Sequence, residues 1–250
     1  MHTTIAYGQT GDVVAAAWAN VAAVPDAHMK TEGDYIYIGE WNKIIGFFAL
    51  PGTTGEQIRL SAPSIRRVNP YYIPFFETAV LHAGVFETPV FYPNIGLTLI
   101  PGEGLEAEIY ITLAEVETIL VFLCSVIPVP VQGNIHTIRF STEPVRTAGV
   151  WSYSEITLLD PLPVGSYDVV GARLETATGV GFRLVPIGGG PRPGGVPVKD
   201  EEDNDPLLQR YGGLGVWMSF EMAQTPGIEM LASADAVKET IYGFLDLIPR

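Results

Sequence analysis

The chain has 250 residues, room for one large domain or two small ones, with 47% hydrophobic and 17% charged residues and a formal net charge of −14. Its 14 Lys and Arg against 28 Asp and Glu leave no basic surface for phosphate backbones, which excludes direct nucleic-acid binding, and its apolar content excludes a disordered acidic tail. The mean hydropathy of +0.24 does not come from a transmembrane helix, because the longest apolar run, 119–127, ends at Pro128 and Pro130, short of the roughly 20 residues such a helix needs.

Excess apolar surface of this kind is commonly hidden between subunits, so an obligate oligomer is expected. Residues 1–12 lack the basic start and apolar stretch of a secretory signal, which points to synthesis in a cytoplasm. Cys124 is the single cysteine, which rules out an intramolecular disulfide; inside its apolar run it reads as a small buried hydrophobe.

Residues 12–24 combine an Asp cap and helix-favouring alanines with a repeat partner of strand composition, so they read as strand or irregular, with a short helix as the alternative. Strands are then expected over 35–38, 44–50, 57–60, 97–100, 107–113 and 119–127. A second series is expected over 135–140, 154–159, 167–174, 180–185, 215–221, 228–231 and 241–247. All are short, rich in Val, Ile, Phe, Tyr and Thr, and bounded by Gly or Pro, the spacing of an all-β sandwich or barrel. Residues 186–213, with three consecutive glycines and an acidic run at 200–205, read as a long exposed loop.

The two series look like one unit written twice. Trp151 follows Trp18 by 133 residues, and Gly-x-Tyr-x-x-x-Gly around Tyr35 returns around Tyr167 after 132. Gly46-Phe47 matches Gly181-Phe182, and the run from Glu117 through Phe122 matches that from Glu239 through Phe244. The expected fold is therefore all-β, with two tandem similar β-sandwich domains from an internal duplication, at 1–128 and 133–250. Trp18, Trp151, Tyr35, Tyr167, Phe122 and Phe244 are the expected duplicated core anchors.

No catalytic, cofactor-binding or metal-ligating residues are expected. His2, His28, His82 and His136 lack metal-ligand spacing, and His2 and His136 read as solvated strand ends. No Gly-x-Ser-x-Gly occurs, and Glu106 and Glu108 read as solvated positions on one face of a strand. The 200–205 run lacks the alternation of a calcium loop. Aromatics on the Pro-rich excursions, Tyr71, Tyr72, Phe75, Phe76, Phe91 and Tyr92, are candidate subunit contacts; the alternative is that they close the open end of their own sandwich.

With these repeated anchors the chain resembles, at the level of architecture and without a family-specific motif, the double jelly-roll major capsid proteins of icosahedral DNA viruses. The resemblance implies two jelly rolls side by side, a homotrimer acting as a pseudo-hexagonal capsomer, and a shell built from it. It further implies a structural virion protein rather than an enzyme, made in a host cytoplasm and contacting copies of itself and minor capsid or vertex proteins. The competing expectation is a tandem carbohydrate- or ligand-binding sandwich that uses Trp18, Trp41, Trp151 and Trp217 as stacking platforms.

Overall fold

The structure is a computed structural model and describes residues 1–9, 17–50, 56–68, 76–78, 90–91, 96–110, 117–198 and 207–250. In chain order the first group of elements is β1 (His2–Gln9), β2 (Trp18–Val21), β3 (Lys30–Glu32), β4 (Tyr35–Tyr37), β5 (Lys43–Leu50), β6 (Glu56–Ser61), helix α1 (Pro63–Val68), β7 (Phe76–Thr78), β8 (Val90–Phe91), β9 (Leu97–Thr98), β10 (Gly104–Tyr110) and β11 (Glu117–Cys124). The second group is β12 (His136–Thr142), β13 (Ser152–Glu155), β14 (Thr157–Leu158), β15 (Ser166–Leu174), β16 (Gly179–Val185), β17 (Gly194–Gly195), β18 (Met218–Glu221), β19 (Gly227–Ala232) and β20 (Ile241–Pro249). The protein is thus mostly β-sheet, as the composition predicts. No helix among the described residues is long and apolar enough to cross a membrane.

Four sheets result. In the first group they run β1-β11-β5-β8, with β9 also on β5, and β3-β4-β10-β6-β7, with β2 also on β10. In the second group they run β14-β12-β20-β15-β18 and β13-β19-β16-β17. The long ladders are antiparallel, and the alternation along each strand decides which face is buried. In β10, Leu105, Ala107 and Ile109 point inward to meet Ile5, Tyr7, Val121 and Leu123 of the facing sheet, closing one core. In the second group, Val180, Phe182, Leu184, Ile228 and Met230 meet Ile138, Phe140, Val169, Leu245 and Leu247. Each fully buried side chain of this size contributes about 1.5–3 kcal/mol.

The β1-β11-β5 sheet is apolar on both faces. While Val121 and Leu123 serve the first core, Leu120, Phe122 and Cys124 on the reverse face join the second core. That is why residues 119–124 read as an unbroken apolar run rather than an alternating one. β16 is likewise buried almost throughout, between its own core and the first group of sheets.

Two expectations need correction. His2–Gln9 forms a full strand that composition did not single out; Ala6 joins the second core on one face, and Ile5 and Tyr7 join the first core on the other. The 186–213 stretch is not exposed throughout. Residues 192–198 are buried and include β17, which pairs with β16. The glycines are what allow it: a Cβ on Gly194 would lie 2.0 Å from the Phe182 carbonyl oxygen, and one on Gly195 would lie 2.5 Å from Gln209 Oε1.

Candidate functional site

The most chemically elaborate region is the seam between the two groups of sheets. β1, β11 and β5 line one side of it and β16, β17 and β19 the other. Strand alternation sends Val180, Phe182 and Leu184 into the second core, so Gly181 and Arg183 face the seam. A Cβ on Gly181 would sit 2.7 Å from Leu120 Cδ1, so glycine is what lets the sheets close at this point.

Among the described residues, four charged side chains are enclosed in the seam. Arg183 donates from Nε to Glu229 Oε2 at 2.6 Å, from a terminal nitrogen to the Thr4 carbonyl at 3.0 Å, and to Asp26. Arg192 donates to the other oxygen of Glu229. Trp151 lies against the Arg183 guanidinium, 4.1 Å from carbon to ring centroid. Asp26 is fixed in turn by the amides of His28, at 2.7 Å, and Met29, at 3.3 Å. Two arginines balance two carboxylates, so each charge has a partner where water is excluded. The Thr4 amide also donates to the Arg192 carbonyl at 3.0 Å, continuing hydrogen bonding from β1 to the edge of the second group and covering an otherwise open strand. His28 stands nearby, its pKa lowered by partial burial and by Arg192 and Arg183 against the pull of Asp26 and Glu229.

A second buried pair secures the outer face of β20. Asp246 accepts from Arg210 Nε at 2.7 Å and from its terminal nitrogen at 2.9 Å, and from Thr137 Oγ1 at 2.6 Å. Burial pushes the Asp246 carboxyl up, but the Arg210 and Thr137 hydrogen bonds, the Arg210 charge and the Tyr211 amide outweigh it and hold the group below the usual range. The turn that carries Arg210 also holds the connection between the two groups: the Val131 amide donates to the Gly212 carbonyl at 3.0 Å. Tyr211 adopts φ 55, an uncommon conformation for a non-glycine residue, and is half exposed beside exposed Leu207 and Leu208.

The expected anchors divide. Trp151 is buried in the seam, and Tyr167 is buried against Phe220 with its hydroxyl donating to the Pro163 carbonyl at 2.8 Å. Phe122 is fully buried, whereas Phe244 is half-buried on the face of β20 turned away from the core, with Arg210 5.8 Å over its ring. Trp18 is half-buried outside the first core, with Arg59 4.0 Å over its ring. Tyr35 is 42% exposed and is no core anchor. It lies on β4, beside β3 and β10, whereas Tyr167 lies on β15, beside β18 and β20, so the two Gly-x-Tyr motifs occupy unlike strands. Gly46 and Gly181 differ in the same way: β5 pairs with β11, and β16 pairs with β19.

Of the candidate contacts, Tyr71, Tyr72, Phe75 and Tyr92 lie outside the described residues, while Phe76 and Phe91 contribute backbone to β7 and β8. The 200–205 run also lies outside them. His2 is not a solvated strand end, being fully buried in the seam; His136 is exposed. Glu106 is buried and Glu108 is paired with Arg59 at 2.7 Å, so neither is solvated as expected. Cys124 is buried, and burial pushes its thiol pKa up. No group of three or more His, Cys, Asp or Glu among the described residues could hold a metal ion.

Sequence reasoning missed the Asp26, Arg183, Arg192 and Glu229 cluster. Its one signal was the rarity of charge in apolar strands, as at Arg183 between Phe182 and Leu184. Comparison with family models, curated proteins and solved structures returns no match.

Proposed function

We propose that the chain is a structural, self-assembling coat protein. Three copies form a pseudo-hexagonal capsomer that tiles a virion shell, made in the host cytoplasm and completed by minor capsid or vertex proteins. The observation that carries this proposal is the connectivity. With the short β3, β4 and β9 set aside and β1, β2, β5, β6, β7, β8, β10 and β11 counted one to eight, the pairings of the first group run 1-8-3-6 and 2-7-4-5. With β12, β13, β15, β16, β17, β18, β19 and β20 counted likewise, the second group runs 1-8-3-6 and 2-7-4-5 as well. In each sheet the partners 1 and 8, 2 and 7, 3 and 6, and 4 and 5 are the rungs of one long hairpin rolled onto itself, which is the jelly-roll path used by many viral coats. The recurrence of that path supports a duplication of 1–128 in 133–250, independently of the motif pairs that fail.

The seam supports a mechanism. Apolar packing and paired charges lock the two sandwiches face to face, so the chain can act as one rigid building block. Exposed Val126, Val129, Val164, Leu207 and Tyr211 offer apolar surface for neighbours. The tandem ligand-binding alternative draws less support, because Trp151 and Trp217 are buried, Trp41 packs on the first core and Arg59 covers Trp18. Size-exclusion chromatography with light scattering tests the proposal. A trimer of the 27.1 kDa chain or larger closed particles is expected, and a stable monomer across micromolar concentrations would overturn it.

A further inference from the structure

We propose that His2 is an acid-sensitive pin between the two sandwiches: its uncharged ring fastens β1 to β17 at neutral pH, and its protonation releases that end of the seam. His2 Nε2 lies 2.9 Å from the Gly194 carbonyl oxygen and 3.2 Å from the Gly194 amide nitrogen, a link between residues 192 apart in sequence. The ring packs edge-on against Trp217 at 4.9 Å and lies 6.4 Å from Phe122. Its Nδ1 is buried with no protein partner among the described residues.

A neutral ring can satisfy Nε2 on Gly194, by either tautomer. An imidazolium needs two acceptors and finds one. Among the described residues, the groups around it offer no counter-charge. The residue before β1 brings the positive Met1 amino group, and β11 brings Phe122 and Cys124, the cross-strand partner of His2. The 192–194 segment brings the Gly194 backbone and Arg192, and the remaining wall is Trp217. The carboxylates nearest along the seam, Asp26 and Glu229, are already held by Arg183 and Arg192.

Burial accordingly holds the His2 pKa down at about 4, against the raising effect of the Gly194 bond and with the Met1 amino group lowering it further. In an opened seam the ring would return to its ordinary value of 6.5. Because the closed form has the lower value, the open form takes up the proton, and closure weakens as pH falls from 6.5 towards 4. From those two values the open-to-closed ratio rises about 30-fold between pH 7.5 and pH 5.

Hydrogen exchange followed by mass spectrometry on the full chain at pH 7.5 and pH 5, corrected for intrinsic exchange, tests this in segments 1–8 and 190–198. Protection in both segments is expected to fall together by about 30-fold in the unaltered protein. His2→Gln, which keeps a donor for Gly194 but cannot be protonated there, should abolish the fall. His28→Gln, beside the ion cluster, should retain it. Equal falls with and without His2, or undiminished protection at pH 5, would overturn the proposal. Should His2→Gln not fold, an NMR titration of the His2 ring in the unaltered chain decides: titration near 4 supports the pin, and titration near 6.5 overturns it.

Discussion

Replacing Arg183 with methionine isolates the energetic role of the seam. The substitution keeps an unbranched apolar stem beside Trp151 and removes the guanidinium that serves Glu229, Asp26 and the Thr4 carbonyl. Glu229 retains Arg192, but Asp26, whose side chain is 2% exposed, keeps among the described residues only the backbone amides of His28 and Met29. Breaking a buried pair by deleting one partner costs about 3–5 kcal/mol, because the remaining charge is stranded away from water. Arg183→Met should therefore lower the urea midpoint, followed by tryptophan fluorescence, by an amount corresponding to about 3–5 kcal/mol. Adding Asp26→Asn removes the stranded charge, so the double variant should be less destabilised than the sum of the single ones. A loss below about 1 kcal/mol, the range of a solvated surface pair, would refute the enclosed seam. Strict additivity would refute the direct pairing.

Three other substitutions test separate parts of the structure. Gly194→Ala forces a Cβ onto the Phe182 carbonyl, so it should cost at least about 1–3 kcal/mol; an unchanged melting temperature would remove β17 from its place. Phe182→Ala in the second core should cost about 3–5 kcal/mol in the same urea assay, and a loss under about 1 kcal/mol would contradict its complete burial. Asp246→Asn should cost about 3–5 kcal/mol at neutral pH by removing the charged acceptor of two Arg210 hydrogen bonds. Since folding lowers the Asp246 pKa, its contribution is present above the ordinary carboxylate range and disappears as pH falls through the folded value. The stability gap between Asp246→Asn and the parent should therefore narrow in acid, and a gap that widens there would contradict the assignment.

How much of this was legible depends on the distance over which each feature is determined. Strands such as Ser166–Leu174 and Gly179–Val185 were readable because β-branched and aromatic residues sit between Gly and Pro boundaries. α1 was not, although Pro63 at its first position fits a helix start, because six residues carry too little periodicity. β17 was hidden by its glycines, which in isolation signal a turn and here permit backbone to approach backbone. Of the pairs on which the proposed repeat rests, Trp18 opens β2 and Trp151 directly precedes β13, but Tyr35 and Tyr167 misled, since a Gly-x-Tyr pattern fits any strand that follows a turn. The seam lay beyond local reading altogether. Asp26, Arg183, Arg192 and Glu229 come from four separate segments, and His2 and Gly194 lie 192 residues apart.

Electron microscopy of the purified assembly tests the coat proposal most directly. Two matched jelly rolls per chain in a trimer should appear end-on as six lobes of nearly equal size around a threefold axis, either free or tiled in a shell. Isolated chains with no higher assembly, or an oligomer whose projections lack six comparable lobes, would contradict it.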